Sequence, residues 1–205
     1  MIKTDSEPLN EVLKGEKKEI CCIYGEPASG KTTIVKEAAV YQSKNNKKVI
    51  FIDSEKSFSI ERLMQLCNND KNVVKNIFVL KPKSLKVQGK YLKRLLKLKD
   101  LDLVIIDSIG IYHRYELKKD ASKANKEMHQ QFNILSELCS KKIGVLITNQ
   151  VYTDIEKNEV NLVGGNMLRN WSKYLIKLDK NPRKLILEKP EKKEVLFKIG
   201  NEGTF

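Results

Sequence analysis

The sequence has no apolar run long enough to cross a bilayer, and its opening residues, Met1-Ile2-Lys3-Thr4-Asp5-Ser6-Glu7, lack the hydrophobic centre of a secretion signal. A cytoplasmic protein without membrane contact is expected. Cysteine is scarce: Cys21, Cys22, Cys67 and Cys139 show neither C-x-x-C spacing nor the density of a disulfide scaffold. The neighbours Cys21 and Cys22 point to opposite faces of a strand, so reduced core residues are expected rather than a bridge or a shared metal. The two histidines, His113 and His129, have no matching ligands at metal spacing, which argues against a transition-metal centre. Tandem repeats and low-complexity tracts are also missing.

What is abundant is positive charge. The 205 residues are 40% hydrophobic and 32% charged, with a formal net charge of +13. The length suits one globular domain with a real core. The charge suggests a polyanionic partner, DNA or RNA first, although lysine far exceeds arginine and the same excess can follow from genome composition or life at high temperature. Residues 1 to 19 read as a lead-in with a short helix around Leu9, Val12 and Leu13. Beyond them, strand-length apolar runs alternate with helical patterns: Val49-Ile52, Ile60-Cys67, Ile77-Leu80, Leu85-Leu98, Leu103-Ile106, Ala121-Cys139 and Ile143-Thr148. Such alternation predicts an α/β fold, a mainly parallel sheet flanked by helices. The end differs. Tyr174-Asp179, Lys184-Glu188 and Val195-Ile199 predict antiparallel strands, a meander over residues 174–205.

The stretch Gly25-Glu26-Pro27-Ala28-Ser29-Gly30-Lys31-Thr32-Thr33 follows the apolar run Ile20-Cys21-Cys22-Ile23-Tyr24 and opens a helical segment. This is G-x-x-x-x-G-K-T in the setting its chemistry needs. Glycines let backbone N–H groups surround phosphates, Lys31 lies beside the β and γ groups, and Thr32 offers a hydroxyl to magnesium. Binding of ATP or GTP is expected, with Mg2+.

In an open α/β sheet the ligand sits at the carboxyl ends of the strands. Leu103-Val104-Ile105-Ile106 ends in Asp107, a carboxylate placed to support magnesium, usually through water. Val49-Ile50-Phe51-Ile52 ends in Asp53-Ser54-Glu55, where Glu55 could orient the water attacking the γ-phosphate, and Asp53 is a structural candidate. Ile143 to Ile147 is followed by Thr148-Asn149-Gln150, and the amide of Gln150 could bond a γ-phosphate. Two loops are expected to matter beside these. One interleaves aromatics and cations, Tyr112-His113-Arg114-Tyr115 with Lys118 and Lys119, which suits backbone contact and base stacking on DNA. The other, Val151 to Asn161 with Gly164-Gly165, reads as a mobile switch loop of mixed charge.

Six segments together resemble the RecA/RadA recombinase ATPase family, and most closely its short archaeal RadB branch. They are GEPASGKTT from Gly25, FIDSEKSFSIERL from Phe51, LVIIDS from Leu103, ITNQVYTD from Ile147, LVGGNMLRNWSKYLIKL from Leu162 and LFKIGNEGTF from Leu196. The resemblance covers nearly the whole chain, and ITNQV and the span Glu55 to Arg62 are its most specific parts. It implies one RecA-like ATPase domain over 1–205 that binds ATP and Mg2+. Lys31 and Thr32 would hold phosphate and metal, Asp107 would support the metal, Glu55 would activate water and Gln150 would sense the γ-phosphate. It also implies Arg62 against the adenine ring, and residues 111–120 and 151–163 as DNA-facing loops.

Departures from the recombinase pattern bear on function. The helical DNA-binding domain and the interlocking linker of RadA have no counterpart here, so long filaments are not expected. Lys56 stands where RadA has a glycine after the catalytic glutamate, which puts a charge near the γ-phosphate or the neighbouring subunit. The second loop is short and partly acidic, which argues against strand exchange. The expectation is a weak ATP hydrolase that binds single-stranded or branched DNA and assists recombination. Expected partners are a RadA-like recombinase and a branched-DNA nuclease or helicase, with a homodimer as a further option. The alternative is a KaiC-like signalling ATPase acting on protein partners.

Overall fold

The computed structural model describes residues 2–13, 18–154, 159–162 and 165–205. A short helix α1 (Glu7–Val12), capped by the Ser6 hydroxyl, precedes the alternating part of the chain. The alternation then runs β1 (Ile20–Gly25), α2 (Lys31–Lys44), β2 (Lys48–Asp53), α3 (Ile60–Leu66), β3 (Ile77–Leu80), α4 (Leu85–Leu95), β4 (Leu101–Asp107), α5 (Gly110–Leu117), α6 (Ala121–Ser140) and β5 (Gly144–Asp154). After β6 (Glu159–Leu162) and α7 (Gly165–Trp171), the chain ends in β7 (Tyr174–Lys180), β8 (Arg183–Lys189), β9 (Lys193–Leu196), β10 (Ile199–Gly200) and β11 (Gly203–Thr204).

The large sheet has the order β3-β2-β4-β5-β1-β7-β8-β9. Every pair from β3 through to β7 is parallel, and β8 and β9 continue as an antiparallel meander. Strand periodicity divides the core between two faces. Ile20, Cys22, Tyr24, Ile50, Ile52, Val104 and Ile106 pack under α4 and α6. Cys21, Ile23, Val49, Phe51, Leu103 and Ile105 pack under α1 and α2. The adjacent cysteines thus lie on opposite faces, both fully buried and both free. Fully buried Phe51 and Phe132 each contribute roughly 2–3 kcal/mol through apolar burial.

Helix starts follow local capping chemistry: the hydroxyls of Ser59 and Ser84 and the carboxylate of Asp120 accept from backbone N–H groups in the first turns of α3, α4 and α6. Helix α2, like α5, has no side-chain cap. Its N-cap is Gly30, with φ of +110°, so the first N–H groups of α2 are left for a ligand at the phosphate loop.

Three expectations need adjustment. The segment expected as an aromatic and basic loop is the helix α5, because residues 111 to 117 contain no glycine or proline and one side of the turn buries His113. Strand β5 runs on to Asp154, since residues 151–154 pair with β6, so part of the expected switch loop is a hairpin. Residues 155–158, 163 and 164 of that loop lie outside the described residues. The last expected strand is broken, because Phe197 turns into the core and Lys198 pairs with Phe205 instead. Among the described residues no helix is long and apolar enough to cross a membrane.

Candidate nucleotide site

Strand register assembles the site. Gly25 lies beside Gln150 across β1 and β5, and Asp53 lies beside Asp107 across β2 and β4. Four polar strand ends are therefore neighbours, at the edge where parallel sheets bind ligands. The Thr32 hydroxyl, on the first turn of α2, donates to Asp107 Oδ2 at 2.8 Å, and the Thr148 hydroxyl donates to Asp107 Oδ1. Burial pushes the Asp107 carboxyl above its usual range; the two hydroxyls pull it down, and the Glu55 and Asp53 charges push it up. A buried carboxylate beside a threonine hydroxyl fits magnesium, a cation that keeps several waters and takes few protein ligands. Among the described residues no group of three acidic, histidine or cysteine side chains is arranged to hold a metal ion, and the hydroxyl–carboxylate pair Thr32–Asp107 is the candidate donor set.

Lys31 is buried, and its ammonium donates to the carbonyls of Gly25 at 2.9 Å and Glu26 at 2.7 Å. Burial lowers its pKa, while Glu55 and Asp107 raise it. The loop around it contains a buried hydroxyl, Ser29 Oγ, with no hydrogen-bond partner among the described residues, a polar group left for a ligand. Ala28 takes a positive φ of 61°, and Pro27 and Thr33 complete the loop. These features fit a nucleotide phosphate.

Glu55 and Gln150 meet, although 95 residues separate them: Gln150 Nε2 donates to Glu55 Oε1 at 2.9 Å. The loop bearing Glu55 is held from beneath by Asp53, whose fully buried carboxylate accepts from the N–H groups of Ser57 at 3.0 Å and Phe58 at 3.1 Å. Lys56, in the position of the expected glycine, adopts φ of +58°, a left-handed conformation that costs a lysine roughly 1–2 kcal/mol. Arg62 does not stand free. Its guanidinium donates to the carbonyls of Gly200 and Asn201, both at 2.8 Å, and so ties α3 to the C-terminal hairpin.

Several site residues escaped sequence reasoning. Arg183 donates to the carbonyls of Ala28 at 3.3 Å and Ser29 at 3.2 Å, and Lys180 approaches Glu26 at 3.6 Å. The signal was a cation on each side of the Asn181-Pro182 turn. Ser54 begins a buried polar chain: its hydroxyl bonds Gln88 Oε1 at 2.7 Å, Gln88 donates to Gln131 Oε1 at 2.9 Å, and Gln131 donates to the Leu85 carbonyl. On α5, Tyr112 spends its hydroxyl on the Pro82 carbonyl at 2.5 Å and packs its ring on the core. Arg114, Lys118 and Lys119 lie along and just beyond that helix, with Lys119 paired to Glu116, and Tyr115 is the exposed aromatic.

The model of the Rad51 family matches residues 1–204. The chain belongs to the Rad51 family. Members of this family are ATPases of the RecA type that bind ATP with magnesium, as the phosphate loop and the Thr32–Asp107 pair suit. Among its relatives, the DNA repair and recombination protein RadB of Methanococcus maripaludis is 39% identical over 208 aligned residues, covering 95% of both chains. The protein of the same name from Methanobrevibacter smithii is 35% identical, covering 95% of this chain and 92% of its own. A crystal structure of the RadB recombinase superposes with a TM-score of 0.84 at 28% identity, over 100% of this Rad51-family chain and 98% of that one. The resemblance to RadB seen in the motifs thus extends over the fold.

Proposed function

We propose that this chain is a RadB-like recombination and repair accessory protein that binds ATP, hydrolyses it weakly, binds single-stranded or branched DNA and modulates a RadA-like recombinase or a branched-DNA processing enzyme. The observation that carries the reading is the Gln150–Glu55 hydrogen bond. In the proposed mechanism Lys31 and the loop N–H groups hold the β and γ phosphates, and Glu55 holds the attacking water and accepts its proton. Thr32 and Asp107 are the magnesium-holding residues, and the ion when bound supplies neutralisation of phosphate charge. Gln150 touches both the catalytic carboxylate and, through β5, the β5–β6 hairpin. A change in what Glu55 holds therefore pulls on the strand that leads to the second DNA-facing segment.

Weak turnover is supported by Lys56, whose left-handed backbone places a long cation where a glycine would leave the Glu55 loop freer. DNA contact is assigned to α5, with Arg114, Lys118 and Lys119 on phosphates; Tyr112, held by Pro82 and the core, anchors the helix, and the exposed Tyr115 is the aromatic beside the cations. Family membership favours the recombination reading over a KaiC-like signalling role.

The test is DNA binding by the purified protein across a salt series, with and without ATP and magnesium, while phosphate release is recorded. Replacing Arg114, Lys118 and Lys119 by glutamine should lower the salt slope by about 2–3. Absence of DNA binding at low salt would overturn the reading.

A further inference from the structure

From Lys81 to Lys99 the chain carries seven lysines and one arginine, and no aspartate or glutamate. That single run of 19 residues holds a net charge of +8, against +13 for the whole protein. All eight cationic side chains are exposed. Lys81 comes within 3.8 Å of Asp53, and among the described residues the other seven make no ion pair. A solvated helix in a protein of mixed charge ordinarily balances its cations with acids at spacings of three or four. This one does not.

Helix geometry sorts the charges. Lys86, Lys90, Lys93 and Lys97 follow at intervals of four, three and four, so they line one face of α4 and the turn that continues it. At 1.5 Å per residue the stripe is about 16 Å long, and duplex phosphates recur every ~3.4 Å of axis on each strand. The first three lysines also form one wall of a groove of about 230 Å³ between α4 and α6. Gly89 lets the helices approach there, Gln131 lies across from it, and one carboxylate, Glu127, lines the groove with the three lysines. The Tyr112 hydroxyl bond to Pro82 fixes α5 beside the start of the basic run.

We propose that the α4 stripe and its groove with α6 form a second polyanion-binding surface, which follows the sugar-phosphate backbone of DNA and continues the α5 surface. The proposal rests on the reading of this protein as a DNA binder. A protein partner would be expected to dock on aromatic or aliphatic anchors in a desolvated centre. The groove is lined by three ammonium groups and the Gln130 and Gln131 amides beside Leu85 and Ile134, with no aromatic anchor, and a file of lysines along a helix is the footprint of phosphate contact without base reading.

The experiment compares salt-dependent binding of a mixed-sequence duplex and its single strand by four full-length proteins. These are wild type, the triple variant Lys86→Gln, Lys90→Gln, Lys93→Gln, the α5 variant described above, and a charge-matched control, Lys71→Gln, Lys173→Gln, Lys192→Gln. Thermal melting checks folding, and a fluorescent ATP analogue checks the nucleotide site. The α4 variant should lose about 2–3 from the magnitude of the salt slope relative to the control, with nucleotide binding unchanged. A slope equal to the control's overturns the proposal. If the α5 variant alone is weakened, this surface fails and the DNA-binding reading survives. If wild type does not bind at low salt, both fail. Loss of poly-glutamate binding with DNA binding intact overturns the assignment in favour of an acidic protein.

Discussion

The nucleotide centre and the α4 surface use charge in opposite ways. At the strand ends few groups are used, they come from distant parts of the chain, and each is committed to a partner: Asp107 to Thr32 and Thr148, Glu55 to Gln150, Asp53 to the N–H groups beneath Glu55. On and around α4 eight cations come from one run, residues 81–99, all exposed and seven without an ion pair among the described residues. Buried polar groups must be satisfied and are fixed in direction, which is what positioning a γ-phosphate and a water demands. Exposed, unpaired cations are individually weak and screened by salt, which suits a long, sequence-independent polyanion.

The largest effect should come from the buried side. Glu55→Gln keeps the shape and a polar contact to Gln150 but removes the base, so ATP hydrolysis should fall roughly 10²–10⁴-fold with nucleotide affinity little changed. Steady-state phosphate release together with analogue binding checks this. Unchanged hydrolysis would remove Glu55 from the chemistry and leave the centre as a binding site only.

The next test separates the regions by pH. Glu37 on α2 is buried, and burial raises its carboxyl to about 7, opposed by hydrogen bonds from the Thr204 N–H and hydroxyl. With Asp5 and Arg62 nearby, and Gly203 leaving no room for a Cβ beside it, this carboxylate clasps the C-terminal hairpin to the phosphate-loop helix. Its folded pKa exceeds the unfolded value, so the folded state holds the proton more tightly. The stability this contributes is full below the unfolded pKa and is lost as pH rises through about 7. Denaturant melts between pH 5 and 7.5 should show a decline of up to about 3 kcal/mol in wild type, flattened in Glu37→Gln. Neutralising Lys86, Lys90 and Lys93 should change stability by less than about 0.5 kcal/mol, because these residues are exposed and make no ion pair. A loss comparable to that of a buried site would break the contrast.

What could be read from sequence depended on locality. The phosphate loop, the strand before it and the acid ending β4 are contiguous signals, and the two-faced burial of Cys21 and Cys22 follows from strand periodicity alone. The partnership of Glu55 with Gln150 is different in kind, since it exists only once β2, β4, β5 and β1 take their order in the sheet. The same holds for Arg183 at the phosphate loop and Arg62 on the C-terminal carbonyls, contacts made by a meander whose position no local pattern reveals. Helix α5 was obscured by composition, because alternating aromatic and basic residues suit a loop as well as a helix. The α4 run lay in plain view, but summing charge over the whole chain hid its concentration in 19 residues.

The central claim is that Gln150 transmits the state of the nucleotide site to DNA affinity. Its direct measurement is the ratio of DNA dissociation constants with and without ATP and magnesium, in wild type and in Gln150→Ala. The account predicts a ratio clearly different from one in wild type that collapses to about one in the variant, at nearly unchanged ATP affinity. The same ratio in both proteins would contradict it.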